Sequence, residues 1–83
     1  MREIAQVEQF HLRGLKVLKK VRSIIKSGKA REIIVEDDRG EAILRIVPDN
    51  SFISQTLNVL KGTMKVIKSC TLVVTNKQTL LFN

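Results

Sequence analysis

The stretch LKVLKKVRSIIKS, residues 15 to 27, decides the first half of the fold. Its apolar residues recur at steps of three and four, which places them along one side of an α-helix: Leu15, Val17, Leu18, Val21, Ile24 and Ile25. The opposite arc carries four lysines: Lys16, Lys19, Lys20 and Lys26. Gly28 follows directly and is placed to cap the C-terminus in the left-handed conformation. The pattern predicts an amphipathic helix with a basic outer face.

Beyond this helix, two runs rich in β-branched residues, 32–36 and 42–47, flank the turn Asp37-Asp38-Arg39-Gly40. Turn residues between two such runs predict a β-hairpin, with Gly40 at the position that needs a positive φ. The first strand of the fold is predicted upstream, over residues 7–12, where apolar and polar side chains alternate weakly.

A second helix is predicted after Pro48, with Asn50 or Ser51 as its N-cap. Its core stripe has the spacing i, i+4, i+7, i+11 and i+14: Ile53, Leu57, Leu60, Met64 and Ile67. Three more apolar residues widen the arc to about half of the helical wheel: Phe52, Val59 and Val66. Ser69 is expected to close this helix.

The remaining segments complete an α+β fold. Residues 72–75 predict a last strand, and residues 79–82 predict either a short fifth strand or an apolar tail. The element order is therefore β-α-β-β-α-β. Because βαβ crossovers are right-handed, we expect both helices on one face of a small mixed or antiparallel sheet, as in a ferredoxin-like fold. Residues 1–83 are predicted to form one domain with a thin core, and the sequence leaves the strand order open.

The sequence contains few residues that could form a metal or thiol site. Cys70 is the single cysteine, which rules out an intramolecular disulfide and favours a reducing compartment. Its apolar run predicts a buried thiol with a raised pKa and little reactivity. His11, between Phe10 and Leu12, is predicted to point outward from its strand, since a metal site needs several clustered ligands. We expect neither metal nor cofactor.

No segment approaches the ~20 apolar residues of a membrane span, and the N-terminus lacks the apolar region of a signal peptide. The sequence therefore predicts a protein that stays in the cytoplasm.

Five segments resemble a known family: EQFHLRG at 8–14, IIKSGKAREIIV at 24–35, DDRG at 37–40, AILRI at 42–46 and CTLVV at 70–74. In them the chain is similar to the bacterial proteins grouped as domain-of-unknown-function family 4342, nearly without gaps over residues 8–47. Between residues 48 and 69 it departs, because family members are apolar and rich in Gly and Ala there, whereas this helix carries Lys61, Lys65 and Lys68. The resemblance implies a fold type and a bacterial cytoplasmic setting, with no activity attached.

Nothing in the sequence supplies the nucleophile or acid-base pair that catalysis needs, so we expect no enzyme and no small-molecule substrate. Four acids lie within six residues: Glu36, Asp37, Asp38 and Glu41. They do not follow the ligand spacing of a calcium loop. A solvated hairpin tip is the simpler interpretation.

Charge is the strongest functional signal. Residues 13–31 hold eight basic residues and no acid, in a chain of net charge +7. Such a patch attracts phosphate backbones, and without Trp or Tyr to stack on bases the binding is expected to be sequence-tolerant. The residues predicted to carry it are Lys16, Lys19, Lys20, Arg22, Lys26, Lys29 and Arg31. A solvated lysine face, an acidic protein partner and an anionic membrane surface remain alternatives.

The second helix indicates self-association. Phe52, Val59 and Val66 extend its apolar arc beyond what one sheet face covers, and surplus apolar surface in a thin domain usually finds a partner. Sheet edges are further candidates. Two functions therefore stand side by side: a homodimeric structural or protein-interaction module, and a sequence-tolerant nucleic-acid binder.

Overall fold

Two helices and a four-stranded sheet account for most of the chain in a computed structural model, which describes residues 2–4, 6–49, 51–77 and 79–81. The elements follow one another in this order: β1 (Arg2–Ile4), β2 (Val7–Arg13), α1 (Leu15–Ser27), β3 (Ala30–Glu36), β4 (Ala42–Ile46), α2 (Ile53–Val66), β5 (Ser69–Asn76) and β6 (Thr79–Leu81). No helix within these ranges has the length and apolar character needed to cross a membrane.

The main sheet has the order β2-β5-β3-β4, and every pairing in it is antiparallel. The predicted α+β class and the β-α-β-β-α-β series of its elements are confirmed. The strand order places β5 and β3 in the centre and leaves β2 and β4 as edges. A ferredoxin-like sheet has the first and third strands of this series in its centre, whereas here the second (β3) and the fourth (β5) are central. The predicted ferredoxin-like arrangement is therefore wrong in its strand order. The pairing of β2 with β5 joins distant segments, with Val7 opposite Thr75.

A separate two-stranded sheet joins the two ends of the chain. β1 pairs antiparallel with β6, with Glu3 opposite Leu80. Of the two predictions for residues 79–82, a short strand or an apolar tail, the strand is thus confirmed over Thr79–Leu81, while Phe82 lies outside the described residues. Its partner β1 was not predicted, because three residues are too few to show a period of two.

One face of the main sheet and both helices share a single core. On β5, Cys70, Leu72 and Val74 alternate toward the helices, and Leu72 lies opposite both Phe10 and Val35. Complete burial of an aliphatic side chain contributes roughly 1.5–3 kcal/mol each. The buried core comprises Val17, Leu18, Val21, Ala30, Ile33, Val35, Ile46, Leu60, Cys70, Leu72 and Val74.

Two predicted glycine positions have the expected geometry. Gly28 caps α1 with φ 69°, and its N–H donates to the Ile25 carbonyl at 3.2 Å. Gly40 has φ 80° in the hairpin turn. In the same turn a carboxylate oxygen of Asp37 accepts the backbone N–H groups of Arg39 and Glu41, both at 2.9 Å. One acid of the hairpin tip, Asp37, therefore stabilises the turn.

Both ends of α2 differ from the prediction. Its N-cap is Phe52, without a side-chain capping bond, so the prediction of Ser51 was wrong, and Asn50 lies outside the described residues. The first turn closes through the backbone, since the Thr56 N–H donates to the Phe52 carbonyl at 3.0 Å. Ile67 is already extended (φ −100°, ψ 117°) because it leads into β5.

Three strands are longer than the sequence predicted. β5 runs over Ser69–Asn76, so Ser69 opens this strand and does not close α2. As a central strand, β5 has hydrogen-bonding partners on both sides, and they extend it beyond its apolar middle. β2 likewise continues to Arg13 and β3 begins at Ala30, while β4 ends one residue early, at Ile46.

Candidate functional site

The layer formed by α1 and α2 carries basic side chains and no acidic one. α1 holds five basic residues and α2 holds two, and neither helix contains an aspartate or glutamate. The acids of the chain lie in strands, turns and connections. Positive charge is therefore concentrated on the helical side of the molecule, and such segregation raises the local concentration of anions.

Two hollows lie along the seam between the helices. The larger, of about 660 Å³, is lined by Leu57 of α2 and by residues from the second half of α1: Lys19, Arg22, Ser23, Ile25 and Lys26. The smaller, of about 170 Å³, is lined by Gly14, Leu15, Leu18, Lys61, Met64 and Lys65. Because the second half of α1 meets the first half of α2, and the reverse holds at the other end, the helices are antiparallel.

Five exposed cations flank this seam and are called the seam cations below: Lys19, Arg22, Lys26, Lys61 and Lys65. The three on α1 are spaced by three and four residues, so they form one row about 10 Å long at 1.5 Å per residue. In the described part of the chain the ion pairs join Arg45 to Glu32 and Lys77 to Asp49. The seam cations have no carboxylate partner among these residues.

The opposite side of α1 has a different environment. Lys20 Nζ lies 4.2 Å from the centre of the Phe10 ring, a cation–π geometry. Lys20 and Lys29 line a third hollow between α1 and the edge strand β2, and Glu8 is part of the same lining. A carboxylate at this position weakens the attraction of this side for an anion.

Three other basic residues of the segment 13–31 lie apart from the seam hollows. Lys16 is exposed in the first turn of α1, and Arg31 is exposed in β3, next to an irregularity in its pairing with β5. Arg13 lies in β2 on the face away from the helices, since Phe10 and Leu12 of that strand pack on the core. The structure thus brings Lys19, Arg22 and Lys26 together, and adds two cations from α2.

Lys61 and Lys65 were missed as site residues because the predicted patch was drawn from one contiguous segment. The missing signal was present in the sequence: the second helix contains no acid, and its lysines flank its core stripe on one side. Lys68 does not belong to the seam. It lies with Asp37, Asp38 and Arg39 around a hollow at the hairpin turn, where the two acids offset the charges of Lys68 and Arg39.

A second surface lies on the other side of α2. Val59 and Val66 are exposed to 55% and 82% of their maximal area, and Phe52 to 61%. At intervals of seven residues these three lie almost above one another along the helix, and we call them the α2 stripe. Val66 also lines the hollow beside the β3–β4 turn. The stripe therefore borders the hairpin and the edge strand β4, whereas the seam borders α1.

The other candidate groups, Cys70, His11 and the possible metal ligands, lie in surroundings typical of structural residues. Cys70 is buried, and the pKa of its thiol is raised, first by burial and then by the negative charge of Asp38. His11 is exposed on the open face of the sheet, as predicted, with its Nδ1 3.2 Å from Thr71 Oγ1. Across the residues described, no three His, Cys, Asp or Glu side chains cluster closely enough to hold a metal ion.

Comparisons of the chain with protein-family models, with curated proteins and with solved structures found no match. The resemblance to family 4342 therefore stays a prediction.

Proposed function

We propose that the protein is a non-catalytic module that binds nucleic acid by its phosphates, through the seam cations. The observation that carries this proposal is the seam itself: five exposed cations from two helices that contain no carboxylate. Cations that contact phosphates displace condensed counterions, and this term supplies most of the affinity of sequence-tolerant binding. Phosphate contacts position a strand without reading its bases.

The open face of the sheet is a weaker candidate for this role. Sheets that bind single strands use aromatic side chains on which bases stack. Phe10, the aromatic residue of the described strands, packs toward the core beneath Lys20. The open face also carries Glu32, whose carboxylate pairs with Arg45. Neither feature favours a nucleic-acid strand on this side.

The test is a fluorescence-anisotropy titration of a labelled single strand at about 50 mM salt, where phosphate contacts are strong. The variant Lys19→Glu/Lys26→Glu removes two exposed seam cations and is expected to abolish most of the binding. The matched control is Arg13→Glu/Arg39→Glu, which changes the net charge equally at two exposed positions outside the seam. Absence of binding by the native protein, or equal loss in both variants, would refute the proposal.

A second candidate function is self-association through the α2 stripe. Its support is the exposure of Val59 and Val66 beside the edge strand β4, whose outer side has no strand partner in the described sheet. A second copy presents the same strand and the same stripe, so an antiparallel β4–β4 contact around a two-fold axis would extend both sheets.

Light-scattering mass at high micromolar concentration tests this second proposal. We expect the native chain to give the mass of a dimer and Val59→Asp to give that of one chain. Val7→Asp is the matched control, because Val7 is 58% exposed on β2, at the other edge of the sheet. A single-chain mass for the native protein at these concentrations would argue decisively against self-association.

A further inference from the structure

The larger seam hollow has a feature that phosphate binding does not use. Its lining combines three cations, Lys19, Arg22 and Lys26, with two half-buried aliphatic side chains, Ile25 and Leu57. At about 660 Å³ its volume falls in the range of roughly 300–1,000 Å³ that is usual for ligand sites. Its chemistry suits a ligand that joins an apolar surface to negative charge.

We propose that this hollow receives an unstacked base of a single-stranded nucleic acid while the neighbouring seam cations hold the phosphates on either side. The inference rests on the proposed function and names its substrate class, single strands in preference to duplexes. In a duplex the bases are stacked and paired, so their faces cannot reach Ile25 and Leu57. In a single strand a base can be splayed out at little cost.

Charge complementarity selects this occupant over an acyl anion. The positive row continues along the seam to Lys61 and Lys65 at the smaller hollow, which matches a ligand with repeated charges. An acyl anion offers a single negative group and would leave these two lysines unused. Arg22 adds a planar guanidinium at the rim, a group on which bases stack.

The experiment compares two strands that differ only in their bases. One is a labelled homothymidine single strand and the other is the same length of abasic phosphodiester, so the number of phosphates is equal. With the native protein at about 100 mM salt we expect the normal strand to bind about fivefold more tightly, which is at the lower end of one stacked base because the floor is aliphatic. Binding of a duplex of the same length is expected to be insensitive to loss of the apolar floor, because its paired bases cannot reach the hollow.

Variants then place this difference in the hollow. Leu57→Gln is expected to reduce the fivefold ratio to about one while abasic binding persists, and Val59→Gln, on the far side of the same helix, is expected to keep it. Thermal unfolding checks that both variants are folded. The comparison on the native protein requires no variant and decides the matter if Leu57→Gln unfolds.

The two proposals fail in different ways. Equal binding of normal and abasic strands would overturn the base site and leave phosphate binding intact, whereas no binding of either strand would refute the proposed function. Preferential displacement of the normal strand by an acidic amphipathic peptide, with the abasic strand retained, would support the base site, since the peptide then competes with a base for the apolar floor.

Discussion

Reversal of Lys61 and Lys65 tests whether α2 is part of the binding surface, because a patch confined to residues 13–31 would not need them. Both lysines line the smaller seam hollow and are exposed. For a single strand, the logarithm of the binding constant falls with the logarithm of salt by about 0.7 per neutralised phosphate. If each of the five seam cations contacts one phosphate, the slope is roughly −3.5.

This slope means that affinity falls roughly 100-fold between about 50 and 200 mM salt. The variant Lys61→Glu/Lys65→Glu removes two contacts, so we expect a slope of roughly −2 and a fall of only about 20-fold. Anisotropy titrations at four or five salt concentrations give both slopes. Absolute affinity at low salt should fall as well, because two glutamates now repel the strand.

The control for this variant is again Arg13→Glu/Arg39→Glu, and both double variants lower the net charge of +7 to about +3. We expect the control to keep a slope near −3.5. An unchanged slope after reversal of Lys61 and Lys65 would refute the argument that the two helices form one site. Slopes that are reduced equally in both variants would indicate a general effect of net charge.

Three further predictions concern the scaffold that holds the seam. Leu60 is the one α2 residue that is completely buried within the described structure. Leu60→Ala should therefore lower the free energy of unfolding by about 2–5 kcal/mol in denaturant, against ~0.5 kcal/mol or less for Val59→Ala at an exposed position. Similar losses in the two variants would contradict the packing of α2. Gly28→Ala should lower the melting temperature by roughly 4–8 °C, the equivalent of about 1 kcal/mol, because φ is 69° and open space surrounds the added Cβ; an unchanged melting temperature would contradict the left-handed cap. Burial raises the pKa of the Cys70 thiol above its ordinary 9.0, so the unfolded chain loses this proton first, and the stability that the thiol contributes is complete below pH 9.0 and declines above it. Alkylation of Cys70 at about pH 8 should be slow in the native protein and fast in denaturant. Rapid alkylation of the native protein would contradict burial of the thiol.

Local patterns were sufficient for the elements that carry their own signal. α1 was predicted to the residue because its amphipathic period and its capping glycine lie together within residues 15–28. The hairpin was predicted because two runs rich in β-branched residues flank the turn, in which Gly40 takes the positive φ. The hydrogen bonds of the Asp37 carboxylate to that turn were not predicted. These devices act between neighbours in sequence, so they can be read without the rest of the fold.

The strand order and the composition of the site depend on contacts between distant residues. β2 pairs with β5 across the chain, and the bond between His11 and Thr71 joins residues 60 positions apart. Likewise, Lys19 and Lys65 flank one seam because α1 and α2 pack side by side on the same face. A count of charges along the sequence cannot show that the two helices share a seam. The absence of acids from both helices can, because two such helices in one layer bring their cations together whether they run parallel or antiparallel.

The positions of the seam and the α2 stripe make the two proposed functions compatible. At 100° per residue, Lys61 and Val59 lie on opposite sides of α2, with the core-facing Leu60 between them. A contact through the stripe and β4 would therefore leave the seam open to solvent. It would also place two seams on one assembly, each outward of its own α2, so a long strand that reached both would gain from effective concentration without any new contact. The two proposed functions therefore use opposite sides of α2: a second copy would contact the apolar stripe, and a nucleic-acid strand would contact the seam cations.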